Sequence, residues 1–153
     1  MTMVDVSSKH EILREATSTG TIRLKAETIK LIKQGKTEKG EPLNTAKIAA
    51  ILAAKKTSDL IPLCHPLPIA NVKVETKVMD AQTVKVTVTV KTKAQTGVEM
   101  EALTATSIGL LTIWDMVKQY EKDPKGQYPS TAIEDLHVIE KIKEPTREKA
   151  RRR

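Results

Sequence analysis

The sequence predicts a single α+β domain in which helices cover one face of an antiparallel sheet. Some segments have apolar residues at every second position, as strands do, and others repeat them every three or four positions, as helices do. Two neighbouring strand-like segments are separated only by a short turn, which makes them an antiparallel hairpin. With 153 residues and no internal repeat, the chain has the length of one domain.

The chain divides into an arm, a domain and a tail. Residues 1–17 are polar or charged with little periodicity, which predicts an extended N-terminal arm. We expect the globular domain at 18–143 and a flexible, basic tail at 144–153. A block of like charge at a terminus is usually solvated, so the tail is not expected to contribute to the core.

The first half of the domain contains one predicted strand and two predicted helices. Alternation over 19–25 predicts the strand. Ile and Leu at helical spacing predict a helix over 26–34, which Gly35 ends. The Ala-rich stretch 46–56 predicts a second helix, because alanine has the highest helix propensity.

The second half contains the hairpin, the longest helix and a last strand. Residues 71–78 and 83–93 alternate and form the two arms of the hairpin. Apolar residues recur every seven positions through 96–120, which predicts one long amphipathic helix as the spine of the fold. Gly109 in its interior indicates close packing against a neighbour, since glycine disfavours helix. Residues 131–143 predict the last strand.

The order of the elements is strand, helix, helix, hairpin, helix, strand. Without one of the early helices this order is βαββαβ, the pattern of a ferredoxin-like sandwich. The fold class is therefore α+β, ferredoxin-like with an extra N-terminal helix. The second face of such a sheet would be left uncovered in a protein of this size, so we expect an oligomer.

Composition excludes several classes of protein. Hydrophobic residues make up 39% of the chain but aromatic residues only 2%, so the core must consist of Ile, Leu, Val and Ala. No apolar run approaches the roughly 20 residues of a membrane span, and the N-terminus does not have the pattern of a signal peptide. Cys64 is the single cysteine, so no internal disulfide can form. We expect a soluble, cytoplasmic protein.

The net charge raises the question of nucleic-acid binding. Of the total of +7, residues 141–153 carry +5, which leaves +2 for the rest of the chain. Nucleobases stack on aromatic side chains, which this chain almost lacks. The tail predicts at most a weak, salt-sensitive affinity for nucleic acid, and a basic nucleic-acid-associated protein is kept as an alternative.

A proline-rich loop at 58–70 holds an adjacent Cys64–His65 pair. Its prolines exclude a helix interior and a central strand, yet the residues between them are apolar, which predicts a stiff, partly buried loop. The pair is a poor zinc site, because adjacent side chains diverge and the other two histidines lie in the arm and in a strand. His65 is then either hydrogen-bonded to backbone or a donor to phosphate and a proton carrier. The residues alone favour neither reading.

Charged residues of the long helix form two further candidates. Asp115 and Lys118 are three residues apart on one face, as either a surface ion pair or a general acid–base pair. Glu99 and Glu101 lie at the N-terminal end, where the helix dipole stabilises acids. Glu101 and Asp115 are 14 residues apart, about 21 Å along a helix. If both are functional, the pocket must lie between subunits, or the two ends must serve different pockets.

Two more lysines complete a set of residues suited to a polyphosphate. Lys39 lies in a Gly- and Pro-bounded loop and Lys141 near the end of the last strand, and each would be assigned to solvent if judged alone. Together with His65 and the Asp115–Lys118 pair they could neutralise phosphate oxygens and move protons. No phosphate-binding loop of the GxxxxGK[ST] type is present.

Four motifs make the chain resemble a known family. They are MVDVSSK at 3–9, KGEPLNTAKIAAILAAKKTSDL at 39–60, LIPLCHPL at 60–67 and TGVEMEALTATSIGLLTIWDMVK at 96–118. Together they resemble the MoaC family, the cyclic pyranopterin monophosphate synthases of molybdenum-cofactor biosynthesis. The resemblance covers 3–141, nearly the whole chain.

The resemblance implies an activity, a fold and an assembly. Members of the family convert a 3′,8-cyclised dihydro-GTP into cyclic pyranopterin monophosphate and release pyrophosphate. They have a ferredoxin-like fold and form hexamers, as trimers of dimers, with active sites at subunit interfaces. The resemblance implies no cofactor, although Mg²⁺ can accompany the triphosphate.

The family's functional positions fall on ten residues of this chain. The catalytic positions implied by the resemblance are Asp115, Lys118, Lys39 and Lys141. The implied substrate-binding positions are Leu63, Cys64, His65, Met100, Glu101 and, in the arm, Arg14. The chain departs from the family after Lys141, where a Gly-rich segment is absent, and it has Trp114 where many members have tyrosine. A non-catalytic scaffold subunit is the remaining alternative.

Overall fold

The computed structural model describes residues 1–144. The predicted tail thus lies outside the described residues, apart from its first residue. The elements, in chain order, are β1 (Ile12–Arg23), α1 (Ala26–Gln34), α2 (Pro42–Lys55), α3 (Thr57–Leu60), β2 (Ile69–Val78), β3 (Thr83–Ala94), α4 (Glu99–Glu121) and β4 (Ala132–Glu144).

The four strands form one antiparallel sheet in the order β2-β3-β1-β4. β1 lies inside the sheet, so that Ala16 pairs with Val90 of β3 on one side and with Lys141 of β4 on the other. β2 and β3 form the predicted hairpin. The prediction of an α+β fold with an antiparallel sheet is confirmed.

Small residues allow α4 to pack closely against the sheet and α2. The buried face of α4 includes Ala102, Ala105, Thr106 and Gly109. A Cβ atom added at Gly109 would lie 3.4 Å from Val86 of β3 and 3.6 Å from the Cβ atom of Ala50 of α2. Gly109 therefore marks the close packing that the sequence predicts. Within residues 1–144, no helix is long and apolar enough to cross a membrane.

The core has the composition that was expected, and α1 ends where expected. The buried hydrophobic residues are valine, alanine, isoleucine and leucine, with one methionine at its edge. Gly35 caps α1 in the left-handed region, at φ 66°, and its N–H donates to the carbonyl of Ile32. The two predicted boundaries of α1 are confirmed.

The largest differences from the prediction are in three segments. β1 begins at Ile12, inside the predicted arm, because it pairs with β3 along its whole length. Its alternation is hidden by buried hydroxyls such as that of Ser18, which donates to the carbonyl of Ala102 at 2.7 Å. α2 begins at Pro42, which is favoured at the first position of a helix. Thr57–Leu60, expected to be loop in part, is the short helix α3.

A buried carboxylate fixes the C-terminal end of α4. Glu121 is fully buried. It accepts a hydrogen bond from the backbone N–H of Lys25 at 3.0 Å, one from the hydroxyl of Thr131 at 2.7 Å and one from the hydroxyl of Thr28. These partners belong to the start of α1 and to the residue before β4, so one side chain joins three parts of the fold.

Candidate active site

The candidate residues form two groups at opposite ends of α4. The N-terminal cluster is defined as Leu63, Cys64, His65, Glu99, Met100, Glu101 and Lys141. The C-terminal cluster is defined as Lys39, Asp115 and Lys118. Each group contributes to its own pocket, and the two pockets share no lining residue. The separation agrees with the distance argument made from the sequence.

The proline-rich loop and the start of α4 enclose the larger of these two pockets. The cavity has a volume of about 540 Å³. Its lining includes Leu63, Cys64, His65, Thr96, Glu99 and Met100. Leu63 is 46% exposed and Met100 42% exposed, so two apolar side chains lie open beside a polar pair. Such a mixture suits a ligand that has both a ring system and charged groups.

Glu101 is the most buried member of the N-terminal cluster, with 3% of its surface exposed. The thiol of Cys64 donates to its Oε1 at 3.9 Å, whereas Oε2 has no hydrogen-bond partner within residues 1–144. Burial, and then the charge of Glu99, raise the pKa of Glu101. Burial and Glu101 together raise the pKa of Cys64. The thiol is therefore protonated at neutral pH and donates a hydrogen bond to Glu101.

His65 contacts the N-terminal arm. Its Nε2 lies 2.8 Å from the carbonyl oxygen of Val4. Since a carbonyl can only accept, Nε2 carries the proton in this bond. The arm thus lies against the imidazole of His65, the position at which the resemblance implies a substrate contact. Of the two interpretations of His65 made from the sequence, the hydrogen bond to backbone is present.

Lys141 belongs to the N-terminal cluster through an ion pair with Glu99. Burial favours a higher pKa for Glu99, but the hydrogen bond from Lys141 and the charges of Lys141 and Lys143 outweigh it, so the pKa is lowered. We expected Lys141 to act with Asp115. Within one subunit, however, Lys141 lies in the N-terminal cluster and Asp115 in the C-terminal cluster, because β4 places Lys141 beside the start of α4.

Arg14 was placed in the arm by the sequence but lies in β1, where it pairs with Thr92 and Lys143. Its Nε donates to the carbonyl of Ala94 and its Nη2 to that of Gln95, both at 3.0 Å. The guanidinium is thereby fixed at the end of β3, just before the segment that leads to α4. This correction follows from the longer β1.

The C-terminal cluster is a three-residue charge arrangement. Lys118 Nζ lies 2.7 Å from Oδ1 of Asp115, and Lys39 Nζ lies 3.1 Å from Oδ2 and 3.0 Å from the backbone oxygen of Asp115. Hydrogen bonds and positive charge from Lys118 and Lys39 lower the pKa of Asp115. The same contact raises the pKa of Lys118. Asp115 is therefore ionised and the amine of Lys118 protonated at neutral pH.

The surroundings of the C-terminal cluster are partly apolar. Leu111, Trp114 and Ile133 line a pocket of about 330 Å³ together with Asp115 and Lys118. The rings of Trp114 and Tyr128 meet edge to face at a centroid distance of 5.4 Å. This pair fixes the indole beside Asp115, and sequence reasoning missed Tyr128 because it lies in a loop.

Sequence reasoning named Glu99 beside Glu101 at the start of the long helix but gave it no role in a site. The helix dipole is enough to explain an acid at either position. No local sequence pattern shows that Glu99 pairs with Lys141 while Glu101 is buried. The contact depends on β4, which is distant in sequence. Among residues 1–144, no group of three or more His, Cys, Asp and Glu side chains could hold a metal ion.

Comparison with known proteins decides the family. The model of the MoaC family matches residues 3–144. The chain belongs to the MoaC family. Three relatives, each named probable cyclic pyranopterin monophosphate synthase, are similar to it over most of their length. The protein of Sulfurisphaera tokodaii is 57% identical over 141 residues, which are 92% of this chain and 93% of the relative.

The other two relatives are similar to the same degree. The protein of Saccharolobus solfataricus is 56% identical over 142 residues, covering 93% of this chain and 95% of the relative. That of Methanococcoides burtonii is 56% identical over 142 residues, covering 93% of this chain and 89% of the relative. The similarity to the MoaC family thus covers the residues of both clusters and is not limited to one motif.

Proposed function

We propose that this protein is a cyclic pyranopterin monophosphate synthase of molybdenum-cofactor biosynthesis. It converts (8S)-3′,8-cyclo-7,8-dihydroguanosine 5′-triphosphate into cyclic pyranopterin monophosphate and releases pyrophosphate. The observation that carries this proposal is the position of Asp115, which lines a pocket and is held between Lys39 and Lys118. Membership of the MoaC family and the names of its relatives support the same reaction.

The reaction needs both proton transfer and phosphate chemistry. Opening of the purine's five-membered ring and formation of the pterin require an acid and a base, which Asp115, Lys118 and Lys141 supply in our proposal. In the last step, a ribose hydroxyl oxygen bonds to the α-phosphorus as the bond to pyrophosphate breaks, and a base takes the hydroxyl proton. Lys39, through its amine, and His65, through its imidazole, stabilise the phosphate oxygens in our proposal. The broken phosphorus–oxygen bond makes the enzyme a lyase.

The N-terminal cluster is proposed to bind the ring system of the substrate. Leu63 and Met100 offer exposed apolar surface, while Glu101 and Cys64 offer polar atoms beside it. The buried Oε2 of Glu101 has no hydrogen-bond partner within residues 1–144, which supports its pairing with a polar group of the purine or pterin ring. Arg14 is assigned to phosphate binding. It would use the guanidinium N–H groups that are not bonded to the carbonyls of Ala94 and Gln95.

A complete site requires both clusters, and we propose that a second subunit supplies one of them. The protomer then assembles as a homohexamer, a trimer of dimers, in which the C-terminal cluster of one subunit faces the N-terminal cluster of another. Exposed apolar side chains near both clusters support this arrangement, since they would otherwise remain in water. They include Leu60, Ile61, Leu63, Met100 and Leu111.

The finer description of the fold and the cellular setting are also proposals. The strand order β2-β3-β1-β4 supports a ferredoxin-like sandwich to which an additional helix has been added before β2. We expect the enzyme to work in the cytoplasm. No cofactor is assigned to the protein, and any Mg²⁺ that takes part would enter with the triphosphate.

The test supplies the cyclised dihydro-GTP to the purified protein and measures pyrophosphate and pterin. The wild type should release them in equal amounts, whereas Asp115→Asn should lose about 100-fold or more of the rate. Asp80→Asn is the matched control, because Asp80 accepts a backbone bond in the hairpin turn that an asparagine oxygen can keep. A folded, oligomeric wild type without turnover would contradict the proposal and favour the scaffold alternative.

A further inference from the structure

The loop that carries Lys39 is attached to the end of α4. We define the Lys39 loop as residues 36–41, between α1 and α2. The backbone N–H of Glu38 donates to the hydroxyl of Tyr120 at 2.9 Å, and the side-chain amide of Gln119 donates to Oε2 of Glu38 at 2.7 Å. Two adjacent residues of α4 thus hold the residue that directly precedes Lys39.

The loop has a defined shape of its own. The N–H of Gly40 donates to the carbonyl of Thr37 at 3.2 Å, and the hydroxyl of Thr37 donates to the carbonyl of Gly40. Gly40 has a φ of 103°, which favours glycine. Thr37 is itself buried. Because these bonds fix the turn, an anchor at Glu38 also fixes the backbone of Lys39.

Lys39 depends on such an anchor. Its side chain is 40% exposed and that of Asp115 59% exposed. An ion pair between exposed side chains is worth little by itself, because holding a long, flexible lysine costs side-chain entropy. Yet Lys39 Nζ contacts both the backbone oxygen and Oδ2 of Asp115. The backbone of the loop must therefore be held where Lys39 can reach both atoms.

Tyr120 is suited to this task. It lies two residues after Lys118 on the same rigid helix as Asp115, and its ring packs against the hydrophobic core. The hydroxyl is thus fixed relative to the Asp115 carboxylate. We propose that Tyr120 is a positioning residue, which holds the Lys39 loop so that Lys39 stays engaged with Asp115, with Gln119 as the second point of attachment. The proposal rests on the proposed function for its catalytic consequence only.

The first experiment needs no substrate and therefore does not depend on the proposed function. The Asp115 carboxyl is titrated by carbon NMR in the wild type, Tyr120→Phe and Lys39→Met. Asp115 faces Lys118 from its own helix and Lys39 from the loop, with Tyr128 close to Lys118. Loss of the hydroxyl should raise the pKa of Asp115 toward the value in Lys39→Met. Lys36→Met, which removes an exposed cation from the same loop, is the matched control and should titrate like the wild type.

Two outcomes would overturn the proposal. In one, Tyr120→Phe titrates like the wild type while Lys39→Met is shifted, so the hydroxyl does not hold the lysine. In the other, Lys39→Met titrates like the wild type, so Lys39 does not engage Asp115 in solution. Tyr→Phe keeps the ring and its packing, and Glu38 is exposed to water, so the unfolding temperature should change little.

The second experiment measures turnover in a double-mutant cycle. Tyr120→Phe should lower kcat/KM by about threefold to tenfold, the effect of one net hydrogen bond. In the Lys39→Met background, Tyr120→Phe should lower kcat/KM no further, because the lysine that Tyr120 positions is already absent. Equal losses in both backgrounds would contradict the proposal. If the wild type itself shows no turnover, the proposed function fails while the titration still tests the role of Tyr120.

Discussion

Cys64 and Glu101 form a hydrogen bond in which the thiol donates to Oε1 at 3.9 Å. The sulfur belongs to the proline-rich loop and the carboxyl to the first turn of α4, so the bond joins two segments far apart in sequence. Because a thiol is a weak donor, it offsets only part of the cost of burying a carboxylate. Glu101 is therefore easier to bury as a neutral acid than as an anion.

This burial predicts how stability varies with pH. Burial raises the pKa of Glu101 in the folded state above its value in the unfolded state, so the folded state binds more protons. The stability that Glu101 contributes is therefore fully present below the unfolded-state pKa and is lost as the pH rises through the folded-state pKa. Relative to Glu101→Gln, the wild type should lose about 1.4 kcal/mol of unfolding free energy for each unit by which the pKa is raised. Urea unfolding at a series of pH values and one protein concentration measures this difference.

Glu27→Gln provides the control for this comparison. Glu27 is exposed to water in the first turn of α1, so its substitution should change the stability far less than that of the buried Glu101. A difference between the wild type and Glu101→Gln that stays constant with pH would show that Glu101 has the same pKa in both states.

The Lys141–Glu99 pair predicts an effect on a second pKa. In Lys141→Ala the hydrogen bond and the nearest positive charge are lost while burial remains, so the pKa of Glu99 should rise above its value in the wild type. NMR titration of the Glu99 carboxyl measures the shift, and turnover should fall in the same variant. Lys143→Ala removes a cation from the same strand but keeps the ion pair. Equal shifts in the two variants would argue against a specific role for Lys141.

Substitution of the buried Glu121 should lower the free energy of unfolding without touching either cluster. Glu121→Ala would leave a backbone N–H and two hydroxyls without their acceptor in a fully buried place. We expect a loss of about 3 kcal/mol of unfolding free energy, measured by urea denaturation. The exposed Glu27→Ala should change it by less than about 0.5 kcal/mol. A similar small change in both variants would mean that water replaces the carboxylate.

Elements with strong local patterns could be predicted from the sequence. The alternation of the hairpin, the glycine that ends α1 and the seven-residue periodicity of α4 each arise from contacts within or next to the segment itself. The small size of Gly109 also indicated close packing before its neighbours were known. These features depend on backbone propensity and on one buried face, which a sequence displays directly.

Other features depend on contacts between distant segments. Ser18 is polar by type yet buried, because Ala102 of α4 accepts its hydrogen bond, and this hides the length of β1. Glu101 and Glu99 look alike at a helix start, and only the proline-rich loop and β4 give them different surroundings. The Lys39 loop is hydrogen-bonded to α4 at Tyr120, whose hydroxyl has no signal in the sequence. Long-range packing decides each of these cases.

The 23-residue length of α4 has a consequence for genetics. If each complete site combines the C-terminal end of one α4 with the N-terminal end of another, Asp115→Asn and Lys141→Ala damage different halves of it. Mixing the two inactive proteins under conditions that exchange subunits should then regenerate intact sites, about a quarter of the total for two-fold related pairs. Cells that carry both defective copies would recover cofactor synthesis, as interallelic complementation. Mixtures of Asp115→Asn with Lys118→Ala, which damage the same half, would not.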